Sequence, residues 1–204
     1  MKKLTLIFFC LIFVPRLYSQ DFKFIGGINY SSYSIRPEIY IDPFTRFEFN
    51  YEKSDTRGFC FGAGFEFSVS KNISIEIDEL YLQKGCDIKF REAPDVKWNY
   101  TLNIFSIPVL LKIKPLSKPK VYILGGPEFS HILSHKENGR SITENTKIFD
   151  FGIVLGGGFE IKMSNNSLFI EARYHSGLTN IAKNDLRFES IKTNAIVLIL
   201  AFKI

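Results

Sequence analysis

The sequence predicts an all-β fold: an eight-stranded, antiparallel, up-and-down transmembrane β-barrel. Long runs of strict alternation and a regular succession of short and long connections carry that prediction. In FDFGIVLGGGFEI, Phe149 to Ile161, the apolar Phe149, Phe151, Ile153, Leu155, Phe159 and Ile161 alternate with small or acidic residues. Side chains at period two point to opposite faces of a strand. A strand in a compact soluble sheet is about five or six residues long, whereas a tilted strand crossing a bilayer needs roughly nine to eleven. One apolar and one polar face are what lipid and a barrel lumen require.

The chain opens with Lys2 and Lys3, an apolar stretch from Leu4 to Val14, then Pro15 and polar residues to Gln20. This pattern predicts a secretory signal over residues 1–20 and one barrel domain over 21–204. Cys10 lies inside the apolar stretch and is not read as a lipidation site. Removing Lys2, Lys3 and Arg16 takes the formal net charge from +5 to +2. The remaining Lys and Arg form no cluster, so no nucleic-acid partner is expected. Cys60 and Cys86 are too few for a disulfide framework. They read as two inert thiols, with mutual pairing as the alternative.

The first strand is predicted over residues 22–33, with Phe22, Phe24, Ile28 and Tyr30 opposite Lys23, Asn29 and Ser31. In the second, over 58–69, Phe59, Phe61, Ala63, Phe65, Phe67 and Val69 alternate with Cys60, Gly62, Gly64, Glu66 and Ser68. In the third, Ile73, Ile75 and Ile77 alternate with Ser74, Glu76 and Asp78. Parity is lost from Glu79 to Leu82, which predicts a bulge. The fourth and fifth strands span 100–114 and 121–133, and the sixth is the opening stretch. The seventh sets Leu168, Ile170, Ala172 and Tyr174 against Phe169, Glu171, Arg173 and His175, and the eighth spans 193–204.

Connections at 70–72, 115–119 and 164–166 are short, whereas those at 34–56, 86–99, 135–147 and 179–192 are long. Short periplasmic turns and long external loops are the outer-membrane pattern, so both ends of the mature chain are expected in the periplasm. Closing the meander pairs every backbone group that lipid cannot satisfy. A soluble lipocalin-like carrier, apolar inside, is the rival architecture. Strand length, the aromatic load on the apolar face and Gly62, Gly64, Gly152, Gly156 and Gly158 on the polar face favour the membrane. Pro108 and Pro127 fall at almost one level on adjacent strands, and each lacks a donor, so the ladder should break there.

Hairpins centred near 71 and 165.5 would set Glu66 opposite Glu76 and Glu160 opposite Glu171, with Arg173 one diagonal step away. Like charges facing each other need an intervening cation or proton. Glu66, Glu76, Glu160, Glu171 and Arg173 therefore form the predicted lumen network, with the Arg173 fork at its centre. It reads as an ion path or as a polar plug. An eight-stranded interior is just wide enough for side chains to fill, which favours a plug and a non-porin barrel.

His131, His135 and His175 raise an alternative, a hydrolase acting at the outer rim. His175 and Ser176, adjacent in a strand, point to opposite faces, and no third group is identifiable. No catalytic residue, metal site or cofactor is predicted, and no enzyme activity. Gly156-Gly157-Gly158 lacks the Lys-Ser/Thr of a phosphate loop and reads as close packing. In the first long loop, Phe44, Phe47, Phe49 and Tyr51 form a candidate protein-binding ribbon, acting by strand addition or side-chain contact. The expected partners are outer-membrane lipid around a single-copy barrel and a protein at the external loops.

Taken together, Tyr81-Leu82-Gln83-Lys84-Gly85, Ile107-Pro108-Val109-Leu110-Leu111-Lys112, Gly125-Gly126-Pro127, Asp150-Phe151-Gly152 with Gly156-Gly157-Gly158, and Ala172-Arg173-Tyr174-His175-Ser176-Gly177-Leu178-Thr179-Asn180-Ile181 give the chain a family likeness. Across the whole mature length it resembles the PorT-like outer-membrane β-barrel family of the Bacteroidetes. That resemblance implies an eight-stranded barrel in a Gram-negative outer membrane, with a structural or interaction role. The founding member is associated with protein secretion by the type IX system. The chain departs from the common barrel pattern in ending Phe202-Lys203-Ile204, without a terminal aromatic.

Overall fold

A computed structural model describes residues 20–37, 41–42, 45–46, 51–90, 93–115, 120–183 and 188–204. Its eight long strands are β1 (Gln20–Pro37), β2 (Tyr51–Ser68), β3 (Ile73–Phe90), β4 (Ala93–Ile113), β5 (Val121–Glu137), β6 (Phe149–Lys162), β7 (Ser167–Gly177) and β8 (Phe188–Lys203). Each pairs antiparallel with its neighbours in sequence, and β1 pairs with β8, from Lys23↔Lys203 to Pro37↔Phe188. The sheet is closed and leaves no edge along the wall, as lipid requires. Residues 1–19, and Phe44, Phe47 and Phe49 of the candidate ribbon, lie outside the described residues, as does the side chain of Tyr51.

The three short connections and the β1–β8 junction share one end of the barrel. Between β2 and β3, the backbone N–H of Val69 donates to the carbonyl of Ile73 at 2.9 Å, and Ser70 Oγ accepts from the N–H of Ile73 at 3.2 Å. At the opposite end β5 runs into a hairpin with Arg140–Ser141 through Asn138 and Gly139, whose φ angles are 49° and 79°. Successive positive φ values in a two-residue turn match the right-handed twist of the flanking strands, and Asn-Gly tolerates them best.

Parity sorts the side chains as period two dictates. Phe24, Ile28, Phe59, Phe61, Ile123, Phe129, Leu155, Ile196 and Leu200 point outward and are exposed. Lys23, Asn29, Glu66, Glu76, Asp78, Lys112, Glu171 and Arg173 point inward and are buried. The soluble-carrier arrangement is the reverse of this.

No bulge follows Asp78. The β3–β4 register is the same at Ile77↔Val109 as at Leu80↔Ser106, and Leu80 and Leu82 are fully buried inside the lumen. The lumen itself turns apolar above Asp78, so apolar residues occupy both faces and alternation in polarity disappears while alternation in direction continues. The irregularity falls instead on β2, where residues 56–59 lie across from residues 83–85. The β6–β7 hairpin is also displaced from the predicted register. A turn over residues 163–166 pairs Lys162 with Ser167, which sets Glu171 opposite Gly158 and Glu160 opposite Phe169. A shift of two residues preserves the face, so Glu160 stays on the inward row but at a different level. Near the prolines, β4 and β5 pair at Pro108↔Glu128 and next at Leu111↔Gly125, with the two intervening pairs missing as expected.

Cys60 and Cys86 are buried free thiols. A maleimide reagent is expected to leave both unlabelled in the folded barrel and to label both after denaturation. Labelling of the folded protein would show that one of them reaches the surface.

Candidate functional site

The lumen is filled at the short-turn end by a belt of charge. Four carboxylates, Glu66, Glu76, Asp78 and Glu171, meet four cations, Lys23, Lys112, Lys114 and Arg173. Among these, Lys114 alone is partly exposed, with 28% of its side chain accessible. Arg173 Nη1 donates to Asp78 Oδ2 at 2.6 Å, Nη2 to Glu76 Oε1 at 2.8 Å and Nε to Glu171 Oε2 at 2.6 Å. One guanidinium thus binds two carboxylates of β3 besides Glu171, its near neighbour on β7, using its planar fork.

Glu66 and Glu76 do face each other across β2 and β3. Lys112, projecting inward from β4, separates their charges, with Nζ 3.3 Å from Glu66 and 3.0 Å from Glu76. Lys23 from β1 reaches Glu76 at 2.5 Å, Lys114 reaches Glu66, and Ser74 Oγ donates to Glu66 at 2.8 Å. Tyr122 donates its hydroxyl to Glu171 at 2.6 Å. Its ring lies 4.0 Å from the Lys112 ammonium, and that of Phe169 lies 4.4 Å away, so aromatic faces complete the cation's surroundings.

Glycines on β6 make the room. A Cβ on Gly156 would lie 3.0 Å from Arg173 Cα and 3.1 Å from its Cγ, and one on Gly158 would lie 2.9 Å from both Glu171 Cγ and the Tyr122 hydroxyl. Gly156 and Gly158 are the floor on which Arg173, Glu171 and Tyr122 lie, whereas Gly157 between them faces outward beside Ile123. Glu160 stands apart from the belt and accepts a 2.8 Å hydrogen bond from Ser167 Oγ. Lys23, Asp78, Lys112 and Tyr122 were not among the expected network residues. Strand parity placed Lys23 and Asp78 on the polar face, but partners two to four strands apart become visible only on closure.

A second polar cluster lies further along the lumen. Glu128 accepts from Ser106 Oγ and lies 2.9 Å from His175 Nδ1, while Thr193 Oγ1 donates to Asp150 at 3.2 Å. Ser106 and His175 converge on the same Glu128 oxygen, so the imidazole does not touch the hydroxyl it would have to activate. Ser176 pairs with Asn194 at 3.2 Å, away from His175. His131 points outward against Phe149, with ring centroids 5.3 Å apart. Among the described residues, no group of His, Cys, Asp and Glu gathers as metal ligands require.

At the end bearing the long connections, the lumen becomes a small apolar core of Tyr33, Ile88, Leu102, Ile132, Ile181 and Ile191. Two connections fold inward over it. Thr146 bridges Ala182, the N–H of Lys147 donates to the carbonyl of Ile181 at 2.8 Å, and Asn180 Oδ1 accepts from the N–H groups of Ala182 and Ile191 at 2.9 and 3.0 Å. His135 fastens this cap to the wall, hydrogen-bonding Thr146 through Nδ1 at 2.9 Å and Tyr33 through Nε2 at 3.3 Å.

The sequence profile of the outer membrane protein beta-barrel domain family matches residues 19–183. No curated protein matches the chain. Among solved structures, the chain is similar to the outer membrane protein OprG from Pseudomonas aeruginosa, with 12% identity, 92% of this chain and 97% of that one covered, and a TM-score of 0.55. It is also similar to Neisserial surface protein A (NspA), with 12% identity, 90% of this chain and 97% of that one covered, and a TM-score of 0.51. At such identities the likeness is one of fold.

Proposed function

Because the chain belongs to the outer membrane protein beta-barrel domain family, we propose that it is a non-porin outer-membrane barrel that works through its outward-facing end as a structural or interaction component. The observation that carries this reading is the occupied lumen: a balanced ion-pair belt at one end and a folded apolar cap at the other. A barrel filled in this way supports neither a solute channel nor a catalytic cleft, so its activity resides in what its exterior touches. The chain ends and short turns face the periplasm, and the long connections face outward. The resemblance to PorT-like proteins favours a secretion-associated partner, and Phe44, Phe47, Phe49 and Tyr51 are the residues proposed to meet it.

The test is a photo-crosslinking residue at position 47 or 49 in intact cells, with mass-spectrometric identification of the captured protein. One reproducible partner protein, lost when the aromatics at 44, 47, 49 and 51 are replaced by serine, is expected. Capture of lipid alone would overturn the reading. In planar bilayers the purified barrel is expected to show no conductance steps, and open-channel currents would reinstate the ion path.

A further inference from the structure

The outward wall carries a depression of about 470 Å³ between β4, β5 and β6, lined by Phe105, Ile107, Phe129, Phe149, Phe151 and His131. Ser130, Asp150 and Thr179 contribute at its base. Its volume falls within the range of small-molecule sites, roughly 300–1,000 Å³. The aromatic walls are mutually packed, with Phe129 and Phe151 centroids 5.1 Å apart and edge-on.

The position of the depression identifies its occupant. The outward apolar row of β6 runs from Phe149 to Ile161, and the depression sits at the Phe149 end, towards the long connections. Only lipid chains bathe that surface in a bilayer. Just beyond the row the polarity changes. Lys147, two residues before Phe149, and Lys136, five residues after His131, are exposed on extensions of the two strands that form the walls. Glu144 is the exposed acid on the same connection, but Lys183 is drawn there as well, donating to the Glu144 carbonyl at 2.6 Å. The local balance beyond the rim is therefore positive.

We propose that this depression is a binding site for one anionic membrane lipid, its acyl chain among the Phe105, Phe129, Phe149 and Phe151 rings and its phosphate on Lys136 and Lys147. Lipid chains are as apolar as the wall, so transfer into the depression supplies no hydrophobic gain beyond packing. Selectivity comes from the headgroup, since a Lys near an anionic surface favours it by about 1 kcal/mol. The site requires only that the barrel spans a membrane and does not depend on any protein partner.

A tryptophan at Phe149 tests this, with a tryptophan at Tyr174, exposed on β7 level with Leu155 and outside the depression, as the control. Both are placed in a Trp98→Phe background so that one indole emits. The proteins are reconstituted in phosphatidylcholine vesicles containing phosphatidylglycerol brominated on its chains, and folding is verified by heat-modifiable electrophoretic mobility.

Brominated phosphatidylglycerol is expected to associate on the order of tenfold more strongly than phosphatidylcholine at position 149. At position 174 the ratio is expected to stay near one. Lys136→Gln with Lys147→Gln should bring the ratio at 149 down to that of the control while leaving mobility unchanged. Equal quenching at both positions overturns the proposal, as does a preference indifferent to the lysines. Loss of quenching at 149 by either lipid, the result of a second copy or another protein covering the wall, overturns it too.

Discussion

Replacing Arg173 by alanine is expected to lower the melting temperature of the barrel in detergent by on the order of 10 °C. Arg173 binds Glu76, Asp78 and Glu171 from a fully buried position. Removing it leaves those carboxylates crowded in a lumen that water enters poorly, with Lys23 and Lys112 already committed to Glu76 and Glu66. Breaking a buried pair from one side costs about 3–5 kcal/mol, because the orphaned charge keeps its desolvation penalty. In a domain of this size each kcal/mol moves the midpoint by about 2–4 °C.

Loss of band-shift mobility on heating, followed by electrophoresis, measures the change. Adding Asp78→Asn to Arg173→Ala should recover part of the loss, since contacting residues are not additive. An unchanged midpoint in the single variant would mean that Arg173 is not the hub.

The second large effect concerns the outer wall. Leu155→Arg is expected to destabilise the barrel in a bilayer by about 2–4 kcal/mol, whereas Ile161→Arg should cost no more than about 1 kcal/mol. Both side chains are exposed and outward on β6, but Leu155 is mid-row and Ile161 is near its end. A charge at the midplane must be desolvated or drag water inward, and one near the interface reaches headgroups. Urea titration in phospholipid vesicles separates the two. Equal costs at both positions would place the bilayer elsewhere on the wall.

Much of the fold was legible because parity is a local property. The rows Phe59, Phe61, Phe65, Phe67 and Cys60, Gly62, Gly64, Glu66 can be read without knowing any partner strand, and so can the count of eight strands. Register is less local. It held where the turn near residue 71 set Glu66 against Glu76 and slipped by two where the turn over 163–166 set Glu171 against Gly158. Polarity could not be followed beyond Asp78, because Leu80 and Leu82 point into an apolar part of the lumen.

The site was legible only in its centre. Arg173 announces itself as a lone guanidinium among acids on inward rows, whereas Lys112 and Tyr122 gain meaning only when β4 and β5 are brought against β3 and β7. The inward folding of Thr146, Ile181 and Ala182 has no periodic signature at all, resting on single hydrogen bonds such as His135 to Thr146.

The close approach of Gly156 and Gly158 to Arg173, Glu171 and Tyr122 has an evolutionary consequence. The filling depends on the wall. A descendant that acquired side chains at 156 or 158 would have to move the Ala172 and Ile170 carbonyls of β7, which such a Cβ would strike, as well as the side chains packed there, so the belt can be lost without freeing the glycines but cannot be kept without them. Wherever the charge belt is inherited, the bare stretch of β6 should therefore be inherited with it, while the outer connections vary without reference to either.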